Sequence, residues 1–168
     1  MKSLNHTCVE KLPFLLGLKK GDPYQTIRKA WEYQSFKGYK GKNFPKPPKF
    51  KVGDIVDYGW DFNDEVKISP ECSGSFNPKV LHKILHKNLG KIKITEVFKI
   101  KIIRTKVDKN WYNIIDDTGS MFAFLNEERE KLAKRDGFNS AEEMFNYFDK
   151  KYDLSTPKEF YVYRGIVQ

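Results

Sequence analysis

The sequence predicts one α+β domain, a small β-barrel flanked by helices, and three observations predict it. First, Ile92 and Ile94 alternate with lysines, the pattern breaks at Thr95-Glu96, and it resumes with Phe98, Ile100 and Ile102. A period of two marks a strand with one buried face. The switch of face near Glu96 predicts a bulge, and a long strand bent in this way is a feature of small barrels. Second, residues 126–152 carry helical spacing with start and stop signals. Third, 168 residues make one domain, 1–168, long enough to bury a substantial core. Hydrophobic residues reach only 39%, but aromatics reach 15%, so Phe and Tyr carry much of the burial.

The elements follow in order. Residues 1–8 read as a loose start. Val9, Leu12, Leu15, Leu16 and Lys19 keep helical spacing. Pro13 suits the first turn of that helix and Gly21 its stop. The helix leads into Gly21-Asp22-Pro23-Tyr24-Gln25-Thr26-Ile27-Arg28. If the chain is extended there, Thr26 and Arg28 share one face and Ile27 takes the other. Residues 34–50 carry five lysines among Phe36, Tyr39, Phe44 and Phe50, with no acid. Three prolines and two glycines oppose any regular element, so this is a long loop. Val52 to Trp60 is a turn at Gly53-Asp54 and then a strand, with Ile55, Asp57 and Gly59 on one side and Val56, Tyr58 and Trp60 on the other. Residues 63–78, with Pro70, Gly74 and Pro78, form another loop.

Val80, Leu81, Ile84 and Leu85 fit a helix or a strand equally well. Strands follow near Trp111–Ile115 and Met121–Phe124, joined at Asp117-Thr118-Gly119-Ser120. Asn126 caps a helix from Glu127 to about Arg135, and Asp136-Gly137 breaks it. Ser140 to Glu143 is a capping box. Ala141, Met144, Phe145, Phe148 and Tyr152 then line one face of a second helix. Pro157 precedes a last strand, Glu159 to Val167.

The formal net charge is +9, unevenly spread. Residues 79–110 hold ten Lys/Arg against two acids, whereas 116–159 hold eleven acids against seven Lys/Arg. That polarity fits a nucleic-acid face better than a uniform solubility coat. Met1 to Glu10 lacks the apolar core of a signal peptide, and no run approaches a membrane span. With two cysteines, Cys8 and Cys72, a cytoplasmic, reducing setting is expected. Neither they nor His82 and His86, four apart, supply a metal-ligand set, so no metal and no cofactor are expected.

The candidate site centres on Thr26 and Arg28. A hydroxyl and a guanidinium on one face can meet a phosphate, a carboxylate or a base edge. They can equally tie down a turn. Tyr24 and Trp60 are candidates to stack a base, with Trp60 alternatively a core residue. Basic charge with interleaved aromatics suits single-stranded nucleic acid, so Lys37, Lys40, Lys42, Lys91 and Lys93 are candidates to track its backbone.

These pieces together resemble an ASCH domain of the PUA-like superfamily. That pattern has an apolar helix, G-x-K-x-x-T-x-R, a Gly-Asp turn before a strand, and an I-T-x-V segment. It continues with a helix ending A-x-x-D/E-G-F, then S-x-x-E-F and a last strand. The matching residues are Gly21, Thr26 and Arg28; Gly53-Asp54; Gly90 and Ile94 to Val97; Ala133 and Asp136 to Phe138; and Ser140 with Glu143. They run in order over residues 9–167. The resemblance implies a PUA-like barrel with a cleft beside the Thr-Arg segment. It also implies RNA or a modified nucleotide as the partner. Some such relatives are similar to amidohydrolases that deacetylate N4-acetylcytidine, through a lysine three residues before the threonine, the threonine itself and an acid. Thr26 and Asp136 match two of these. The lysine position is Pro23, which neither titrates nor donates, leaving Lys19 or Lys20 to reach in. The first expectation is therefore a binding module. A hydrolase on a modified nucleoside or RNA, with Thr26 and Asp136 catalytic, is the alternative. For RNA cleavage the candidates are Asp136, His82 and His86.

Overall fold

The computed structural model describes residues 3–6, 11–30, 32–34, 43–68, 79–108, 111–123 and 125–168. For residues 5, 32–34, 43–45, 61–68 and 79–86 only the backbone is considered. Among the described residues, eleven elements run in the order β1 (Ser3–His6), α1 (Leu12–Gly17), β2 (Pro23–Lys29), β3 (Glu32–Gln34), β4 (Asn43–Pro45), β5 (Ile55–Ile68), β6 (Lys79–Arg104), β7 (Tyr112–Asp116), α2 (Asn126–Arg135), α3 (Ala141–Tyr152) and β8 (Lys158–Val167). The fold is α+β, with three helices and a six-stranded sheet among the described residues.

The sheet runs β1-β5-β6-β8-β2, with β7 added to β6. All neighbours are antiparallel except β1 and β5, which are parallel. No ladder joins β1 to β2 among the described residues, so the sheet is open where a closed barrel was expected. It nevertheless curls. Leu4 of β1 and Tyr24 of β2, at its two ends, belong to one core cluster.

The bulge in β6 explains how one sheet serves two cores. Ile94 pairs with Gly165 and Glu96 with Arg164, so Thr95 is the extra residue. One extra residue flips every following side chain to the opposite face. Ile92 and Ile94 accordingly lie inside the curl with Val56, Tyr58, Trp60 and Tyr163. Ile100 and Ile102 lie on the outer face, beneath Leu132, Phe138, Met144, Phe145 and Phe148 of the helical layer. Gly165 sits opposite the bulge because nothing larger fits. A Cβ there would come within 2.5 Å of Ile92 Cγ2 and 2.6 Å of the Lys93 carbonyl oxygen.

The helices begin and end where capping chemistry dictates, with one shift. Leu125, not Asn126, is the N-cap of α2, and its N–H donates to Glu128 Oε2 at 3.0 Å. Asp136 closes α2 and Gly137 follows at φ 89°, left-handed backbone that glycine adopts without strain. Ser140 Oγ accepts from the Glu143 N–H at 3.1 Å to start α3.

Several expectations are corrected. The start of the chain is not loose throughout: Leu4 and His6 are buried, and β1 needs β5 as a partner to form. Helix α1 stops at Gly17, and Gly21, at φ 88°, instead turns the chain into β2. The 34–50 loop contains β4, which pairs with β3. Pro45, lacking an N–H, lies at the end of that two-stranded ladder. Residues 63–68 continue β5 instead of opening a loop, and 79–85 are strand. No strand forms at 121–123; a single bridge joins Met121 to Ile115, and Ala123 takes φ 52°.

Candidate functional site

Strand β2 positions the site. It is a terminal strand, bonded on one side to β8, so its other edge must find partners elsewhere. Helix α2 supplies them at its C-terminus. Asp136 Oδ1 accepts the Ile27 N–H at 2.6 Å, and Gln25 Nε2 donates to the Leu132 carbonyl at 3.1 Å. Asp136 Oδ2 accepts from the Lys11 ammonium, which enters just before α1 and also lies 4.7 Å from the centre of the Phe138 ring. Both side chains are almost completely buried. Burial pushes the Asp136 carboxyl above its ordinary range, while Lys11, the Ile27 N–H and Arg28 pull it back.

Alternation along β2 turns Tyr24, Thr26 and Arg28 to the inner face and Ile27 to the helical core. Tyr24 is buried and meets His6 Nε2 through its hydroxyl at 2.6 Å, a side-chain link between the two ends of the sheet. Burial raises the Tyr24 phenol well above its usual pKa and, with Arg28 and Lys11 nearby, lowers His6 well below 6.5. Thr26 is fully buried beside Tyr24.

Beyond Arg28 the inner face opens into a cavity of about 750 Å³. Its walls are Arg28 and Lys29 from β2, Ser3 and Leu4 from β1, Tyr161 and Tyr163 from β8, and the segment Lys46–Phe50. That segment is tied down as a strap. The Tyr161 hydroxyl donates to the Lys46 carbonyl at 2.8 Å, and the Lys49 N–H donates to the Tyr163 hydroxyl at 3.0 Å. Phe50 packs edge-on against Tyr163, with ring centres 5.4 Å apart. Four cations line the cavity, and no acid does among the described residues. Such a wall attracts anions, and its rings offer surfaces to a planar group.

The sequence-derived candidates therefore separate. Arg28 lines the cavity, while Thr26 and Tyr24 lie behind it in the interior. Asp136 joins them through the Ile27 N–H. Trp60 is 8% exposed in the inner core and has no open face for a base. Lys91 and Lys93 are exposed on β6 and are not among the cavity walls. Lys37, Lys40 and Lys42 lie outside the described residues. Lys19 and Lys20 are exposed; the lysine that reaches the acid is Lys11. His82 and His86 stand four apart along the backbone of β6, about 13 Å, where a helix would set them one turn apart. No cluster of three or more metal-ligating side chains occurs among the described residues. No described helix is long and apolar enough to cross a membrane.

Sequence reasoning did not single out His6, Lys11, Lys29, Tyr161 and Tyr163 as site residues. Lys46, Lys49 and Phe50 do fall within the basic aromatic stretch at 34–50. No family model matches the chain. No curated protein and no solved structure matches it either.

Proposed function

We propose that this protein binds RNA or a nucleotide-like ligand in the cavity beside the Thr26–Arg28 segment. The observation that carries the reading is the wall itself: Arg28, Lys29, Lys46 and Lys49 together with Tyr161, Tyr163 and Phe50, with no acid among the described lining residues. The cations suit phosphate and the rings suit bases, the two needs of a single strand. The resemblance to the ASCH domains, which implies a PUA-like barrel and a cleft beside the Thr-Arg pair, points to the same ligand class. The test is a titration of labelled single-stranded RNA at 50 and 200 mM salt. Four neutralised phosphates give a salt slope of about −2.8, so affinity falls about 50-fold between the two conditions. Arg28→Ala lowers the affinity and flattens the slope by about 0.7. Binding insensitive to salt and to Arg28→Ala contradicts the reading.

One observation favours the hydrolase as a second reading. The resemblance calls for a lysine, a threonine and an acid, and Pro23 holds the lysine position. Lys11 reaches Asp136 from another element, one peptide unit from Thr26. A buried amine, a buried acid and a buried hydroxyl are the parts of an amide-cleaving site. Turnover of N4-acetylcytidine by the wild type that survives Thr26→Ala, or no turnover at all, removes this reading.

A further inference from the structure

The seam between the two ends of the sheet carries an inference about how the cavity is regulated, and it rests on the proposed binding of RNA or nucleotide there. We propose that the contact between His6 and Tyr24 is a latch that holds β1 as a wall of the cavity, and that protonation of His6 releases β1 and with it the ligand.

Three observations carry this. The first is the shape of the seam. β1 and β2 are the two ends of the sheet path, and no ladder joins them among the described residues. His6 and Tyr24 close the seam at one end, with Nε2 and the hydroxyl 2.6 Å apart and the rings edge to face at 6.0 Å. At the other end Ser3 and Leu4 of β1 line the cavity together with Arg28 and Lys29 of β2. The second is how lightly β1 is held. It is four residues long and pairs on one side with β5. Near its start the Lys49 ammonium donates to the Ser3 carbonyl at 3.4 Å, a long and exposed contact. A short strand at a sheet end opens more readily than the central strands. The third is the charge around His6. Arg28 of β2 and Lys11, just before α1, are both cations and both disfavour a proton on it, on top of its burial. Asp136 of α2 is engaged by Lys11 and the Ile27 N–H. The Tyr24 phenol is held neutral by burial, and Trp60, opposite His6 on β5, carries no charge. His6 therefore stays neutral while the seam is closed and regains its ordinary proton affinity when the seam opens. The open seam binds more protons, so acid favours it.

The test follows hydrogen exchange of the β1 amides and binding of a ten-nucleotide oligouridylate without terminal phosphates, both from pH 7 to 5. Neither uracil nor a phosphodiester titrates in that range, so a change in binding belongs to the protein. Protection of β1, corrected for intrinsic exchange, should fall by up to about tenfold per pH unit below about 6.5, while β8 stays protected. RNA affinity should fall in proportion to the closed fraction. His6→Gln keeps a neutral hydrogen-bonding group beside Tyr24 and should remove the pH dependence of β1 protection. Tyr24→Phe keeps the ring, removes the hydroxyl, and should lower β1 protection already at pH 7. If β1 protection does not depend on pH, or depends on it equally in His6→Gln, the latch fails while RNA binding stands. Loss of β1 and β8 protection together shows global unfolding and also overturns the latch. If the RNA binds at no pH, the binding reading fails and takes the ligand half of this inference with it.

Discussion

Replacing Lys11 by Met exposes how the site is held together. Asp136 has two partners, the Lys11 ammonium and the Ile27 N–H, and no measurable side-chain exposure. Removing Lys11 leaves a buried carboxylate with the Ile27 N–H as its direct hydrogen bond. Breaking a buried pair in this way costs about 3–5 kcal/mol, most of it from the charge left behind. Burial already raises the Asp136 pKa against the pull of Lys11, and without Lys11 it rises further. A carboxyl whose folded pKa lies above its unfolded value favours folding at low pH. That contribution is lost as pH climbs through the folded pKa. The penalty of Lys11→Met relative to wild type must therefore be larger at pH 7 than at pH 5. Urea denaturation of wild type, Lys11→Met, Asp136→Asn and the double variant measures it. The double variant should be less destabilised than the sum of the singles by more than about 1 kcal/mol. Additivity within about 0.5 kcal/mol, or a penalty independent of pH, refutes the buried ion pair.

Gly165→Ala should destabilise the protein by about 1–3 kcal/mol in the same assay, because the new methyl meets the Lys93 backbone as well as Ile92. His6 should contribute a loss of stability as pH drops below about 6.5, by up to ~1.4 kcal/mol per pH unit, because the unfolded chain protonates it and the folded one resists, against the opposite trend of Asp136. His6→Gln should flatten that slope in thermal melts taken from pH 7 to 5. Tyr161→Phe and Tyr163→Phe each remove one tie of the strap. Each should cost about 1 kcal/mol of stability, and together they should weaken RNA binding measured by fluorescence anisotropy more than they change the melting temperature.

The parts of the fold legible in the sequence were those whose cause is local. Glu96 interrupts an apolar alternation, and the bulge at Thr95 is there. Asp136-Gly137 and Ser140 with Glu143 carry their capping chemistry in consecutive residues, and the helix boundaries follow. What the sequence hid depends on partners far along the chain. Strand β1 is four residues long and forms only against β5. The continuation of β5 through Asn63–Ile68 depends on its pairing with β6. The site divides in the same way. Alternation alone brings Tyr24, Thr26 and Arg28 to one face, but it cannot say that Tyr24 and Thr26 would be sealed inside. Lys11, 125 positions from Asp136, carries no pattern that announces the pair. The basic aromatic stretch did mark Lys46 and Lys49, but their ties to Tyr161 and Tyr163 exist only once β8 is in the sheet.

The most direct test of the cavity as a ligand site is photocrosslinking of single-stranded RNA to the wild-type protein, with the crosslinked peptides read by mass spectrometry. The cavity reading predicts adducts on the strap around Lys46–Phe50 and on β8 around Tyr161, lost under competition by unlabelled RNA and reduced in Arg28→Ala. Crosslinks confined to the exposed lysine row of Lys91 and Lys93, with the strap and Tyr161 unmodified, contradict it.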